Sequence, residues 1–179
     1  MMRLFVALPI PPELREQLTL LAGGIPGARW IPAENYHLTL RFIGQVQSWQ
    51  AQDVDEALAN IRARPFHLSL RGVGTFEKAG RICSLHVGVE KTDALAMLQT
   101  KVERALQQVG FEPERKRFAP HVALARTDKA PPEKLVSFVQ AHNLFRAPPM
   151  PVERFTLFSS RLGKEQAHYI PEVEYGLAA

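Results

Sequence analysis

Two histidines begin similar tetrapeptides, His37-Leu38-Thr39-Leu40 and His121-Val122-Ala123-Leu124. Successive side chains of a β-strand point to opposite faces, so each histidine shares a face with the residue two positions later. Histidine titrates close to neutral pH, which lets one imidazole accept a proton while a second one donates a proton. The pair predicts general acid–base catalysis, with the two rings converging across a cleft.

The spacing alone is not specific. His67-Leu68-Ser69-Leu70 and His86-Val87-Gly88-Val89 fit the same pattern. On this pattern a structural histidine on a strand and a catalytic one are both open interpretations for each site. The residues around each motif must therefore distinguish catalytic histidines from structural ones.

The apolar periodicity predicts four helices and eight strands. The helices are expected near 12–22, 49–61, 93–109 and 132–140, and the strands near 4–8, 28–31, 37–43, 66–73, 82–89, 121–125, 152–159 and 168–173. Helices interspersed with strand pairs predict an α+β fold, with antiparallel sheets carrying helices on their outer faces. The order strand, helix, strand beginning with histidine occurs twice along the chain. This repeat predicts two pseudo-symmetric lobes around a central active-site cleft. Because no linker divides them, residues 1–179 are expected to form a single bilobal domain.

Composition narrows the classes of function. The chain has 179 residues, one cysteine and a net charge of +4. A single cysteine allows no internal disulfide, so a reducing cytoplasm is expected. No apolar run approaches the roughly 20 residues of a membrane span, and no apolar stripe or heptad is evident, so we expect no membrane partner and a monomer. Metal-binding and nucleotide-phosphate motifs are missing from the sequence, so we expect no metal and no cofactor.

Two longer segments carry a resemblance to a known family. The run Trp30-Ile31-Pro32-Ala33-Glu34-Asn35-Tyr36-His37-Leu38-Thr39-Leu40-Arg41-Phe42-Ile43-Gly44 resembles the first signature of the bacterial RNA 2′,3′-cyclic phosphodiesterases. These enzymes, formerly called 2′-5′ RNA ligases, belong to the two-histidine phosphoesterase superfamily. Phe118-Ala119-Pro120-His121-Val122-Ala123-Leu124-Ala125-Arg126 resembles the second signature. Segments 3–8 and 158–163, with Tyr169, also match, so the resemblance covers essentially the whole chain.

The resemblance implies a reaction and a set of roles. It implies metal-independent hydrolysis of RNA 2′,3′-cyclic phosphate ends to 2′-phosphomonoesters, with His37 as proton donor and His121 as the proton acceptor that activates water. It implies that Thr39 and Arg126 contact the phosphoryl oxygens. The implied partner is RNA with a cyclic phosphate end, for which tRNA fragments are one candidate source. Family history also implies reversible 2′-5′ ligation.

Ala123 departs from the family pattern, which has threonine or serine at this position. A hydrogen bond to a charged group contributes roughly 1.5–3 kcal/mol, so a lost hydroxyl would cost about ten- to hundredfold in rate. Ala123 therefore supports an alternative, an RNA-binding protein of the same fold with weakened or lost catalysis. A third interpretation keeps the enzyme but changes the substrate to a 2′-5′-linked oligonucleotide or a cyclic-nucleotide metabolite.

Two arginines compete for the phosphate. Arg126 lies five positions after His121, which is the opposite face of a regular strand, so it needs a bulge or the strand end to reach the site. Arg41 is expected on the face of His37 and Thr39. Four aromatic residues flank the motifs: Trp30, Tyr36, Phe42 and Phe118. Each could either pack in the core or stack on a base of the RNA. The resemblance assigns no catalytic role to His67 or His86, which are expected to be structural.

Overall fold

The computed structural model describes residues 1–164 and 166–178. The helices are α1 (Pro12–Leu21), α2 (Ser48–Ala59), α3 (Asp93–Gln108) and α4 (Pro132–His142), and a short 3-10 helix spans Ala33–Asn35. The strands are β1 (Met2–Pro9), β2 (Arg29–Trp30), β3 (His37–Val46), β4 (Phe66–Leu68), β5 (Leu70–Lys78), β6 (Arg81–Val89), β7 (His121–Arg126), β8 (Met150–Val152), β9 (Arg154–Leu162) and β10 (Ala167–Gly176). The predicted α+β class is confirmed.

The strands form one large antiparallel sheet and one small one. The large sheet has eight strands in the order β10-β9-β1-β3-β7-β6-β5, and β2 pairs with β7 beside this path. The small sheet pairs β4 with β8. The central pairing, between β3 and β7, joins Leu38 to Val122.

The Leu38–Val122 pair divides the large sheet into two lobes. The first lobe consists of β10, β9, β1 and β3 and contains His37, while the second consists of β7, β6 and β5 and contains His121. Along the chain a strand and a helix precede each strand that begins with histidine, as β1–α1–β3 and β6–α3–β7. The lobes are not contiguous halves of the chain, because the C-terminal strands β9 and β10 join the first lobe.

Two predicted strands prove to be four. The strand expected over 66–73 is divided at Ser69 into β4 and β5, and the strand expected over 152–159 is divided at Glu153 into β8 and β9. The chain changes sheets at both points, because β4 and β8 pair with each other while β5 and β9 join the large sheet. Apolar periodicity continues across such a change, so it does not mark the boundary.

The core lies between the large sheet and the helices. Leu38, Leu40, Val122 and Leu124 alternate with the motif histidines and are at most 3% exposed. They belong to one cluster of buried apolar side chains that includes residues of both lobes. We call the face of the sheet that carries His37 and His121 the site side, and the opposite face the helix side. No helix of residues 1–164 and 166–178 is both long and apolar enough to cross a membrane.

Candidate active site

The central strand pairing brings the two motifs together. Because Leu38 pairs with Val122 in antiparallel strands, continuing the register sets His37 opposite Ala123 and Thr39 opposite His121. All four side chains are partly exposed and lie on the site side. The two histidines are diagonal neighbours, a relation that separates residues by about 7–8 Å. The predicted convergence of the two motifs is therefore present in the fold.

Both imidazoles are oriented in the same way. Nδ1 of His37 lies 2.7 Å from the carbonyl oxygen of Asn35, and Nδ1 of His121 lies 2.8 Å from that of Ala119. A carbonyl oxygen only accepts hydrogen bonds, so Nδ1 is the donor in each ring. This arrangement leaves Nε2 as the nitrogen that exchanges a proton in both histidines.

Aromatic rings enclose His37. Its ring centroid lies 4.9 Å from that of Phe5 and 5.1 Å from that of Tyr169, and Phe158 stacks on Phe5. Burial lowers the pKa of His37 to about 4; the Asn35 carbonyl opposes that effect and the charge of His121 adds to it. The free protein therefore holds His37 neutral at pH 7, and His121 is close enough to act on it electrostatically.

A bulge in β7 brings Arg126 to the site side. The register between β6 and β7 shifts between Leu85 and His86, so Leu124 has no partner of its own. Leu124 and Ala125 consequently both face the core, and Arg126 emerges exposed on the face of His121. The bulge that the Arg126 interpretation required is present.

The equivalent bulge in β3 removes Arg41 from the site, which corrects its predicted orientation. The register with β1 shifts at Leu40, and Arg41 follows it towards the helix side. Its Nε donates to Glu103 of α3 at 2.6 Å, and its other nitrogens donate to the carbonyls of Phe42 and Glu112. Arg41 is 8% exposed and holds the loop after α3 against the sheet.

Phe42 occupies in the first lobe the place that Arg126 occupies in the second, five positions after the motif histidine. It is 63% exposed and lies 5.9 Å from the ring of Phe5. The other aromatic candidates pack inward: Tyr36 is 4% exposed, Trp30 lies 5.8 Å from Phe138 of α4, and Phe118 packs against the core. Among the four, Phe42 offers the most exposed ring for a base.

His86, expected to be structural, lies beside His121. Its ring centroid is 5.2 Å from that of His121 and 4.3 Å from that of Phe76, which stacks on it. Its Nδ1 is buried without a partner among the described residues, and burial, followed by the charge of His121, lowers its pKa to about 4. Sequence reasoning missed this neighbour because only the pairing of β6 with β7 sets His86 opposite Ala123.

A groove lies beside the site. Within 1–164 and 166–178, no group of three or more histidine, cysteine, aspartate or glutamate side chains could hold a metal ion. A groove of about 320 Å³ adjoins His37 through Tyr169 and includes Asn35 and Arg126 in its lining. A larger cavity of about 650 Å³ lies away from the histidines, against α3.

The chain is similar in sequence to a known protein family. The sequence matches the LigT-like phosphoesterase family over residues 8–83 and 87–169. It is 34% identical over 154 residues to an RNA 2′,3′-cyclic phosphodiesterase of Geobacillus stearothermophilus, covering 80% of this chain and 49% of that protein. It is 32% identical over 170 residues to an RNA 2′,3′-cyclic phosphodiesterase of Thermotoga maritima, covering 90% of this chain and 88% of that one. The chain thus spans about half the length of the Geobacillus relative.

Solved structures share the fold. Escherichia coli LigT complexed with 3′-AMP superimposes with a TM-score of 0.81 and 24% sequence identity, over 99% of both chains. At this identity the likeness concerns the fold alone. The shared fold extends over nearly the whole chain.

Proposed function

The chain belongs to the LigT-like phosphoesterase family, and on that premise we propose that it hydrolyses RNA 2′,3′-cyclic phosphate ends to 2′-phosphomonoesters. One observation carries the proposal. Two histidines on adjacent central strands each donate Nδ1–H to a carbonyl two residues upstream, so that both Nε2 atoms serve the same site. Paired imidazoles of this kind contribute about 10²–10⁴-fold each as general acid or base.

The proposed reaction needs only these two proton transfers. His121 Nε2 accepts a proton from water while the water oxygen bonds to phosphorus. The bond from phosphorus to the ribose 3′ oxygen breaks, and His37 Nε2 donates a proton to that oxygen. The phosphate stays on the 2′ oxygen. If the 5′-hydroxyl of a second RNA replaced the water, the same transfers would form a 2′-5′ bond.

The remaining site residues are proposed to hold the phosphoryl oxygens. Thr39 shares the face of His37, and its hydroxyl donates to one oxygen. Arg126, brought to that face by the bulge in β7, supplies a guanidinium, which matches phosphate geometry. Fixed donors aimed at developing negative charge are a major source of catalysis. Ala123 leaves the site with one donor fewer than the family pattern.

The test is hydrolysis of a short RNA that ends in a 2′,3′-cyclic phosphate, in the presence of EDTA. Wild type should convert it to an RNA that ends in a 2′-phosphate, and His37→Ala and His121→Ala should each lose at least a hundredfold in rate. His67→Ala is the matched control, since His67 has the same sequence pattern but is exposed on β4, in the other sheet. A 3′-phosphate product, or full activity in either motif variant, would refute the proposal.

Ala123 favours a second candidate, an RNA-binding protein with weakened catalysis. In that case wild type would bind the cyclic-phosphate RNA without turnover. His37→Ala would then alter affinity at most, and restoring the hydroxyl with Ala123→Thr should create activity that wild type lacks. The same RNA, assayed for both binding and hydrolysis, separates the two candidates.

We also propose that residues 1–179 act as a single two-lobed domain and as a cytoplasmic monomer. Support comes from the apolar cluster that includes both lobes and from the single cysteine. A single cooperative unfolding transition and a mass near 20.1 kDa in sedimentation are expected. Two separate transitions, or a dimer at micromolar concentration, would contradict these proposals.

A further inference from the structure

The groove of about 320 Å³ beside the histidines is basic. Arg29, Arg126 and Lys164 line it, and none of its described lining residues is acidic. All three cations are exposed. Tyr169 lines the groove and also contacts the ring of His37, so the groove adjoins His37.

Arg29 and Arg126 are directly opposed across two strands. They are Cα partners where β2 pairs with β7, and the next pair along, Trp30 with Ala125, faces the helix side. The two guanidinium groups therefore emerge together on the site side. Like charges directly opposite each other destabilise a sheet, and an anion bound between them would offset that cost.

We propose that Arg29, with Lys164, forms a subsite for the phosphodiester immediately upstream of the terminal nucleotide, so that the preferred substrate is an oligonucleotide. The inference rests on the proposed function and names its substrate class. Arg126 lies between the two phosphates, since it follows the strand of His121 and faces Arg29. The terminal cyclic phosphate lies at the histidines, and the strand leaves along the groove past Tyr169.

A comparison of two substrates tests the subsite. A mononucleoside 2′,3′-cyclic phosphate has no upstream phosphodiester, whereas a dinucleotide with the same cyclic end has one. Arg29→Gln should lower kcat/KM for the dinucleotide about fivefold, the scale of one exposed charge pair, and change the mononucleotide value less than twofold. Arg29→Lys should restore most of the loss. Arg104→Gln, which removes an exposed charge from α3, should affect both substrates equally and little.

The salt dependence of kcat/KM is a second test of the contact between Arg29 and the upstream phosphodiester. The affinity of a protein for single-stranded nucleic acid falls as salt rises, and the slope of log affinity against log salt is proportional to the number of phosphates that the protein neutralises. The dinucleotide kcat/KM should therefore fall more steeply with salt in wild type than in Arg29→Gln. Equal losses on both substrates would assign Arg29 to the terminal phosphate, and no loss on either would remove the subsite.

Binding of the products keeps the inference testable if hydrolysis fails. Wild type should bind a dinucleotide ending in a 2′-phosphate more tightly than the corresponding mononucleotide, and Arg29→Gln should remove that difference. If wild type hydrolyses neither cyclic substrate but shows this difference, the subsite stands and the proposed activity does not. Equal affinities of wild type for the two products would overturn the subsite itself.

Discussion

Binding of a phosphate at the site should return a proton to His37. Burial, partly opposed by the carbonyl of Asn35 and reinforced by the charge of His121, lowers the pKa of His37 to about 4 in the free protein. A proton donor must nevertheless be protonated when the substrate is bound. The bound phosphate has to raise the pKa of His37, because a negative charge near an imidazole favours its protonated form.

The free-energy cost of protonating His37 matches the stabilisation that one bound phosphate charge can supply. At pH 7, three units above a pKa of about 4, protonating His37 costs about 4 kcal/mol, since each unit is worth about 1.36 kcal/mol. One unit charge at 4 Å contributes about 4 kcal/mol at an effective dielectric constant near 20. A single phosphate charge against the ring therefore suffices to bring the pKa of His37 close to neutrality.

The assay is a pH titration of the histidine side chains by NMR, with and without a saturating nucleoside 2′-monophosphate. The expected result is a rise of roughly three units in the pKa of His37 on binding, assigned by the loss of its signals in His37→Gln. In the free protein, His121→Ala should raise the pKa of His37 modestly, because the charge of His121 lowers it. If His37 stays neutral in the complex at pH 6, it cannot be the donor, and it would have to serve as the base.

Three further predictions follow from the site and its support. Ala123→Thr should raise turnover about ten- to hundredfold by adding a donor to the phosphate, whereas Ala123→Val, which has the same shape without the hydroxyl, should not; equal effects would remove the hydroxyl argument. Arg41→Ala should lower the free energy of unfolding by about 1.5–3 kcal/mol in denaturant titrations, because the partly buried carboxylate of Glu103 loses its charged partner and keeps only the hydrogen bonds from Gln107 and the Glu114 amide. Arg71→Ala, which breaks an exposed pair, should cost less than about 1 kcal/mol, and similar losses in both would contradict the structural role of Arg41. His86→Phe should reduce the loss of stability on acidification: the pKa of His86 is about 4 when folded and 6.5 unperturbed, so the unfolded chain takes up the proton first and stability falls as pH drops from about 6.5 to about 4. An unchanged pH dependence of thermal unfolding in that variant would show that His86 does not contribute.

Local patterns predicted the elements, and the motif pair predicted the centre of the site. The alternation of His37 and Thr39 with buried leucines is a local property, and so is the helical spacing of α3. Both survive in the structure because the strand and the helix each bury one face. The convergence of His37 and His121 was expected from the repeated order of elements, and in the structure the pairing of β3 with β7 brings it about.

The bulges were not predictable from alternation. A bulge places two successive residues on the same face, and its sequence signal is two neighbouring buried positions. Leu124 and Ala125 are two such neighbouring buried residues, but Arg126 was identified from the family resemblance and not from them. The pair Leu40-Arg41 does not show the signal of a bulge, because arginine is usually a surface residue. Its burial is explained only by its partner Glu103 in the structure. The contact of His86 with His121 depends on which strands pair, and that order is set by packing of the whole chain.

The central claim, that His37 and His121 act as one acid–base unit, is tested most directly by a double-mutant cycle. Single-turnover rates on a cyclic-phosphate RNA would be measured for wild type, His37→Ala, His121→Ala and the double variant. Catalytic residues that act as a unit are strongly non-additive, so each single variant should lose at least about a hundredfold and the double variant little more. Additive losses, or a loss confined to one histidine, would contradict the account.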